Sequence, residues 1–202
     1  MIAIIDYGMG NVASVQKALN FLQLKSTITN DQSLIKEASV IILPGVGSFK
    51  QGMLNLKINK LDEFLTEEVV EKKKNFLGIC LGMQLIAEYG NEPDRTNGLG
   101  WIKGEVKKIE SDKLRIPHMG WNDIEIKNSK YYDNIKSNDF YFIHSYHFVP
   151  KDEFVVDSYV NYGEKLVSSI QNENIFATQF HPEKSQASGL TLLKNYFSNV
   201  KG

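Results

Sequence analysis

The sequence predicts an α/β fold with a mainly parallel central sheet and an additional antiparallel layer. Before Gly98, short β-branched runs alternate with longer segments of helical periodicity, which is typical of parallel strands covered by helices. Beyond Gly98 the pattern changes to short strands separated by turn residues. Because no linker, repeat or low-complexity segment separates the two halves, we expect one continuous domain over residues 1–202.

The first half contains four predicted strands. Ile2–Ile5 is a short apolar run, Ser26–Thr29 is rich in β-branched residues, and Val40–Leu43 and Phe76–Ile79 are continuous apolar runs. Continuous apolar runs are expected of strands that are buried on both faces. The pair Pro44-Gly45 ends the third strand, because proline cannot continue a sheet interior.

Two helices are predicted between these strands. The first has Asn11 as its N-cap, and its buried face carries Val15, Leu19 and Leu22. The second covers about Leu61–Lys74. It contains a charge run that is typical of a solvated helix face, formed by Glu67, Glu68, Glu71, Lys72, Lys73 and Lys74.

The second half contains six predicted strands and a closing helix. The strands are Trp101–Ile109, Asp123–Ile126, Phe140–Val149, Phe154–Val160, Leu166–Ile170 and Ile175–Phe180. The closing helix is predicted from about Ser188 to Asn199. These strands form the largely antiparallel part of the fold.

The composition excludes several classes of function. In 202 residues, 23 Lys+Arg nearly cancel 24 Asp+Glu, so the chain lacks the basic excess that binds DNA, RNA or an anionic membrane. The N-terminal apolar run is too short for a signal peptide, and no apolar stretch is long enough to span a membrane. The single cysteine, Cys80, excludes an intramolecular disulfide, so we expect a cytoplasmic protein.

Cys80 lies where a strand is predicted to run directly into a helix. The segment Gly78-Ile79-Cys80-Leu81-Gly82 has the form G-x-C-x-G, the cysteine counterpart of a nucleophile elbow. The helix is predicted from Leu81 to about Tyr89 and is ended by Gly90. A sulfur at a helix N-terminus is stabilised as the thiolate, and the backbone N–H of Leu81 can stabilise an oxyanion.

His181 is the best candidate for a base among four histidines. It follows the predicted strand Ile175–Phe180, at the sheet edge where Cys80 emerges if the two strands are parallel. Pro182 favours an extended conformation at His181, so Glu183 is expected to project to the same side and to fix the tautomer of the imidazole. The sequence therefore predicts a Cys-His-Glu triad. We expect His118 and His144 to be packed or hydrogen-bonded nearby.

Two other readings fit parts of the sequence. A zinc site built from Cys80 and the histidines has suitable ligand types, but it lacks ligand spacing, because His144 and His147 would point to opposite faces of one strand. A dinucleotide-binding module is suggested by a glycine pattern and an acidic residue further on, namely Gly8, Gly10, Ala13 and Asp31. That module would leave the elbow and the His-Pro-Glu segment unexplained. We expect no metal and no cofactor.

Two segments together resemble the class I glutamine amidotransferases: 78–84 (GICLGMQ) and 180–185 (FHPEKS). The resemblance implies a flavodoxin-like three-layer fold and a triad that hydrolyses glutamine to glutamate and ammonia. It also implies a second oxyanion donor at about Val46, and residues that hold the substrate at Gly47, Gln84, Ser145 and Tyr146.

Further motifs resemble the glutaminase subunits of imidazole glycerol phosphate synthase. They are 6–11 (DYGMGN), 43–49 (LPGVGSF), 117–122 (PHMGWN) and 140–146 (FYFIHSY). This resemblance implies a heterodimer with a (β/α)8-barrel cyclase subunit, which uses the ammonia to form imidazole glycerol phosphate and AICAR in histidine biosynthesis. The residues that it assigns to the partner surface are Asn11, Met119, Trp121 and Tyr141.

Two alternatives remain. The first keeps the glutaminase chemistry and changes the ammonia acceptor, and the second keeps only the cysteine nucleophile. A related subunit can supply ammonia to an amidotransferase that modifies surface sugars, and no feature of the sequence decides between the two acceptors. A free-standing cysteine hydrolase is the other alternative. In that enzyme the motifs of the partner surface would have no use.

Overall fold

Thirteen strands form two sheets in the computed structural model, which describes residues 1–112, 114–127 and 131–200. The strands are β1 (Ile2–Ile5), β2 (Ser26–Thr29), β3 (Val40–Gly45), β4 (Asn75–Cys80), β5 (Ala87–Asn91), β6 (Arg95–Asn97), β7 (Ile102–Lys108), β8 (His118–Ile126), β9 (Asp139–His144), β10 (Tyr146–Pro150), β11 (Val156–Tyr162), β12 (Glu164–Asn172) and β13 (Ile175–Thr178). The four strands predicted in the first half are confirmed.

The larger sheet has nine strands in the order β2-β1-β3-β4-β13-β12-β11-β8-β9. The first five are parallel, and the other four are antiparallel and extend the same sheet. The remaining strands form a second sheet in the order β10-β7-β5-β6. The predicted α/β class is confirmed, and the antiparallel strands are divided between an extension of the central sheet and this separate layer.

Six α-helices lie in the described part of the chain: α1 (Val12–Phe21), α2 (Gln32–Glu37), α3 (Phe49–Ile58), α4 (Asp62–Thr66), α5 (Leu81–Leu85) and α6 (Gln186–Asn199). A π-helical turn, Glu67–Glu71, continues α4, and 3-10 turns cover Glu153–Val155 and Pro182–Lys184. Asn11 caps α1 as predicted, since its side chain accepts from the Ser14 N–H. None of these described helices is long and apolar enough to cross a membrane.

Both faces of the central sheet are buried along β1, β3, β4 and β13, which explains the continuous apolar runs. Along β1, Ala3 and Ile5 belong to one core cluster, whereas Ile2 and Ile4 belong to another on the opposite face. Successive side chains of a strand point to opposite faces, so a strand buried on both sides is apolar throughout. Phe148 of the second sheet lies in the same cluster as Ala3, so one core joins the two sheets.

The helix predicted over Leu81–Tyr89 is wrong in its second half. Helix α5 ends at Leu85, and the chain enters β5 at Ala87. Gly90 is a strand residue and not a helix cap: a Cβ atom there would lie 2.6 Å from the Phe49 ring. Pairing with β6 and β7 supplies the hydrogen bonds of this segment, so tertiary structure overrides its helical propensity.

The single strand predicted over Phe140–Val149 is also wrong. The chain leaves the central sheet after His144 and enters the second sheet at Tyr146, so β9 and β10 belong to different sheets. Ser145 is the crossing point, and its carbonyl accepts from the Ile109 N–H at 2.9 Å. The continuous β-prone sequence therefore gives no sign that the chain passes from one sheet to the other.

The charge run at the end of α4 is only partly solvated. Helical structure ends at Glu71, and the Glu68 side chain is 1% exposed. Its carboxylate is 2.7 Å from Lys72 Nζ and 2.6 Å from Lys74 Nζ. Two lysines thus compensate a buried carboxylate, so the prediction of a wholly solvated face is wrong for Glu68.

Candidate active site

Cys80 lies at a strained turn between β4 and α5. Its backbone has φ 54° and ψ −106°, outside the usual regions for a residue with a side chain, and Leu81 begins the helix. The register pairs Cys80 with Gly45 at the carboxyl end of β3. The predicted elbow geometry is confirmed, and such strained positions are typical of functional sites.

The two glycines of the elbow are required by close backbone contacts. A Cβ atom at Gly82 would lie 1.8 Å from the Leu43 carbonyl oxygen. A Cβ atom at Gly78 would lie 2.9 Å from the Gly82 carbonyl oxygen. The turn therefore depends on close packing of helix against strand, which only glycine permits.

His181 and Glu183 form a buried pair at the same sheet edge. His181 Nδ1 lies 2.8 Å from Glu183 Oε1, and both side chains are 2% exposed. The route differs from the prediction: β13 ends at Thr178, and Glu183 belongs to a 3-10 turn and not to an extended segment. The two side chains meet because His181 itself is extended and the turn folds Glu183 back toward it.

The charge on His181 is set by its two partners. Burial alone would lower the pKa of this imidazole, but the Cys80 thiolate and the Glu183 carboxylate outweigh it and raise the pKa above its ordinary value. The second ring nitrogen, Nε2, is buried and forms no full hydrogen bond among the described residues. The arrangement can therefore hold an imidazolium beside a thiolate, and it leaves Nε2 to exchange a proton with the sulfur.

The surroundings of the sulfur include a residue that the sequence motifs did not reveal. Gln179 is fully buried, and its Nε2 lies 3.6 Å from Cys80 Sγ. The Ile143 carbonyl oxygen is 3.8 Å from the same sulfur. No motif singles out Gln179. The available signal was its place directly after β13, two residues before His181.

The residues expected at an oxyanion hole lie on segments that adjoin Cys80. Leu81 contributes a backbone N–H in the first turn of α5. Val46 follows Gly45, the strand partner of Cys80, and is 40% exposed. Gly47 has φ 103°, a conformation that favours glycine, so the loop turns sharply there. Because β3 pairs with β4, the β3–α3 loop lies beside the start of α5.

The residues expected to hold a substrate are differently placed. Gln84 is buried, and its Nε2 donates to the Tyr146 carbonyl at 2.8 Å and to Gln179 Oε1 at 3.0 Å. Both N–H groups are thereby used within the protein, so Gln84 can offer a ligand only its carbonyl oxygen. Ser145 is half-buried and lines a cleft beside Ile109.

Three of the four residues assigned to a partner surface lie on the antiparallel edge of the central sheet. Met119 and Trp121 of β8 are 59% and 48% exposed. Trp121 is paired in register with Tyr141 of β9, and the Tyr141 carbonyl accepts from the His181 N–H at 2.9 Å. An exposed apolar surface therefore adjoins the His181 backbone. Asn11 is exposed at the start of α1.

His118 and His144 are buried and hydrogen-bonded to each other, as predicted. Their Nδ1 and Nε2 atoms are 3.0 Å apart, and His144 Nδ1 lies 2.9 Å from the Tyr146 carbonyl oxygen. Burial lowers the pKa of His118 to about 4 and that of His144 to about 3. Over the described ranges, no group of three or more His, Cys, Asp or Glu side chains is arranged to hold a metal ion.

The carboxylate of the dinucleotide pattern has another use. Asp31 caps α2, since its Oδ1 accepts from the Ser33 N–H at 2.8 Å. Hydrogen bonds with Ser33 also lower the pKa of this carboxyl. The carboxylate that would bind a ribose thus stabilises a helix N-terminus.

Comparisons with known proteins agree with this geometry. The family model described as glutamine amidotransferase class-I matches residues 3–200. The imidazole glycerol phosphate synthase subunit HisH 1 of Campylobacter jejuni is 51% identical over 199 residues, which cover 97% of this chain and 98% of the relative. The HisH subunit of Aquifex aeolicus is 47% identical over 196 residues, 96% of this chain and 94% of the relative.

Solved structures show the same fold at lower identity. A crystal structure described as a glutamine amidotransferase has a TM-score of 0.75 at 19% identity and covers 99% of this chain and 98% of its own. The structure of PurLQS from Thermotoga maritima has a TM-score of 0.74 at 18% identity, with the same coverage of both chains. From the family match and these relatives, the chain belongs to the class I glutamine amidotransferases and, within them, to the family of imidazole glycerol phosphate synthase HisH subunits.

Proposed function

We propose that this chain hydrolyses glutamine to glutamate and ammonia through a thioester on Cys80. The observation that carries the proposal is the meeting of an elbow cysteine with a buried His181–Glu183 pair at one sheet edge. A nucleophile activated by a base, which is itself oriented by a third group, is the arrangement that acyl transfer requires.

The reaction proceeds in two halves that reuse His181. The Cys80 thiolate attacks the side-chain amide carbon of glutamine, and the imidazolium of His181 donates its proton to the departing ammonia. The neutral imidazole then removes a proton from water, the hydroxide attacks the thioester, and the thiolate leaves with glutamate released. Glu183 holds Nδ1 and stabilises the charged form of the ring in each half.

Two backbone donors stabilise the tetrahedral intermediates in this proposal. The N–H groups of Leu81 and Val46 are the candidates, because the start of α5 and the loop after β3 adjoin Cys80. Loss of one such donor typically costs about 3 kcal/mol of barrier. We assign Gly47, Ser145, Tyr146 and the free carbonyl of Gln84 to the amino and carboxylate groups of glutamine.

The ammonia is delivered to a partner subunit. Free ammonia is mostly ammonium near pH 7 and is then not a nucleophile, so direct transfer to a second site is an advantage. We propose a (β/α)8-barrel cyclase as the partner in a heterodimer, with the ammonia used in histidine biosynthesis. The HisH relatives favour this acceptor over a surface sugar, and the exposed Met119 and Trp121 beside Tyr141 supply an apolar docking surface.

The chain is proposed to act as one glutamine amidotransferase domain over residues 1–202. Supporting this, one core cluster contains side chains of the central sheet, such as Ile41, and of the second sheet, such as Val106. We also propose a cytoplasmic location, because a nucleophilic free thiol is preserved in a reducing compartment.

Glutamate release from glutamine tests the proposal, measured for the wild type and for Cys80→Ala with the cyclase subunit and its substrate present. The wild type is expected to turn over faster with the partner than alone, and Cys80→Ala is expected to be inactive in both conditions. Circular dichroism controls for folding of the variant. Activity retained by folded Cys80→Ala would refute the nucleophile, and a rate that the partner leaves unchanged would refute the coupling.

A further inference from the structure

We propose that Gln179 is a positioning residue for the nucleophile: its side-chain amide donates to the Cys80 sulfur and holds it as a thiolate. The inference rests on the proposed function, since it takes Cys80 as the nucleophile. It adds a fourth side chain to the Cys-His-Glu arrangement.

Gln179 has no access to solvent and contacts the reacting atom. Its side chain is fully buried, its backbone N–H donates to the Ser168 carbonyl at 2.8 Å, and its Nε2 is 3.6 Å from Cys80 Sγ. Burying a primary amide is costly unless its groups are hydrogen-bonded. Here the N–H group meets the sulfur, and the carbonyl oxygen meets Gln84.

The neighbouring backbone determines which end of the Gln179 amide meets the sulfur. The Tyr146 carbonyl can only accept, so the group of Gln84 that lies 2.8 Å from it must be the NH2. The same NH2 lies 3.0 Å from the Gln179 side chain, which must therefore present its oxygen to Gln84. The NH2 of Gln179 is left for Cys80, so a flipped amide would break two hydrogen bonds.

The Tyr146 carbonyl also determines the tautomers of His144 and His118. His144 Nδ1 must carry a proton to donate to the Tyr146 oxygen, so its Nε2 is the acceptor for His118 Nδ1. Asn122 Nδ2, 3.3 Å from His118 Nε2, completes the series. Every donor and acceptor is matched when both rings are neutral, which agrees with the lowered pKa values of both.

The chemical consequence is a preference for the thiolate. An N–H donor stabilises negative charge on sulfur, whereas the Ile143 carbonyl oxygen, 3.8 Å from the sulfur, stabilises only the protonated thiol. Gln179 therefore works in the same sense as His181. Unlike His181, the Gln179 amide does not titrate, so its hydrogen bond to the sulfur is present at any pH at which the protein is folded.

The experiment measures the thiolate directly and requires no glutamine. The rate of Cys80 alkylation by iodoacetamide is followed against pH in the wild type, in Gln179→Met and in Gln179→Glu. The methionine keeps the side-chain length and removes the donor, and the glutamate replaces the donor with an acceptor. Gln171→Met is the matched control, because Gln171 is half-buried on β12 beside the opposite end of β13.

Gln179→Met is expected to raise the pH midpoint of alkylation by about one unit, the size of one hydrogen bond to a charged group. Gln179→Glu is expected to raise it further, and Gln171→Met to leave it unchanged. Gln179→Met should also lower kcat for glutamine hydrolysis about tenfold, with KM within about twofold. A midpoint equal to that of the wild type in a folded Gln179 variant overturns the proposal.

A measurement on the unmodified protein covers the case in which neither variant folds. The side-chain NH2 signals of Gln179 in a nitrogen-15 spectrum are expected to shift with pH at the alkylation midpoint of Cys80. Signals that do not move through that midpoint overturn the proposal. If the wild type fails to hydrolyse glutamine, the proposed function fails instead, whatever the alkylation profiles show.

Discussion

At the scale of single residues, the site combines side chains from two segments that are distant in the sequence, one around Cys80 and one around His181. Cys80 comes from the end of β4, His181 and Glu183 from the turn after β13, and Gln84 from α5. The parallel pairing of β4 with β13 brings the first two segments to one edge. A general property of parallel sheets thus assembles the chemistry, because the carboxyl ends of their strands meet.

The burial of His147 is expected to make the free energy of unfolding depend on pH. It is buried, neither ring nitrogen has a hydrogen bond in the described residues, and burial with a contribution from Lys107 lowers its pKa to about 4. The carboxylate of Glu164, 3.9 Å away, is too distant for a hydrogen bond. Between about pH 6.5 and pH 4 the unfolded state therefore binds a proton that the folded state does not, so stability falls as the pH falls.

We expect His147→Phe to reduce the loss of unfolding free energy between pH 7 and pH 5 by about 2 kcal/mol, because the phenyl ring has no proton to bind. Urea unfolding at the two pH values measures it. The lowered pKa values of His118 and His144 also reduce stability at low pH, so His147→Phe still loses part of its unfolding free energy. Between pH 8 and pH 9 the ring is neutral in both states, so the two proteins should there show the same dependence on pH. An unchanged loss between pH 7 and pH 5 would contradict the assignment.

The sequence predicted that Cys80, His181 and Glu183 lie together, but it did not reveal every side chain around the sulfur. Glycines around Cys80 and the proline after His181 are local signals with a mechanical meaning. Gln179 has no such signal, because its role depends on Gln84 and on the Tyr146 carbonyl, which only the folded chain brings near. Which end of the Gln179 amide faces the sulfur cannot be read from a sequence.

At the scale of elements, the elbow depends on how closely α5 approaches β3. The Gly82 position has no room for a Cβ atom because the obstacle is the Leu43 backbone oxygen, which no rotamer change can remove. Gly100 is a suitable comparison. Its φ is 71°, but a Cβ atom there would have nothing within 4 Å.

We expect Gly82→Ala to lower the free energy of unfolding by more than about 4 kcal/mol, since α5 must move away from β3. Gly100→Ala should cost only about 1–2 kcal/mol, the strain of a left-handed backbone. Urea denaturation of both variants measures the difference. Equal losses would show that close approach at the elbow is not the constraint.

Strands were predicted more successfully than their connections. The first three strands needed only β-branched or apolar runs, whereas α3 begins at Phe49 in a segment of mixed polarity and was not predicted. Its start is marked by Ser48, which accepts from the Gln51 N–H at 3.4 Å. The break at Ser145 and the short α5 were missed because pairing with distant strands, and not local propensity, decides both.

At the scale of the whole molecule, the edge of the central sheet carries exposed apolar side chains beside the site. We expect Trp121→Ala to weaken binding of the cyclase subunit by about 2 kcal/mol, roughly 30-fold, because a half-exposed tryptophan on a docking surface is a typical hot spot. Isothermal titration calorimetry with the purified cyclase measures the affinity.

Phe154 provides the control for this prediction. It is 94% exposed and lies beside Gln171–Glu173, at the amino end of the parallel strands and away from Cys80. Phe154→Ala is expected to bind the cyclase with wild-type affinity. If Phe154→Ala weakens binding as much as Trp121→Ala, the assigned docking surface is wrong.

The overall architecture was predictable because burial on both faces marks β1, β3, β4 and β13 with apolar runs, even though the sheet order was not read from the sequence. The division of the antiparallel strands between two sheets was not predictable, since strands such as β7 and β11 have similar patterns. Their partners are determined by the packing of the entire core.

The central claim is that Cys80 attacks the side-chain carbon of glutamine with the help of His181. The most direct test is labelling of the chain by a glutamine-derived chloroketone, followed by mass spectrometry of its peptides. We expect a single label on Cys80, protection of Cys80 by glutamine, and much slower labelling of His181→Asn. A label on any other residue, or labelling that glutamine does not slow, would contradict the claim.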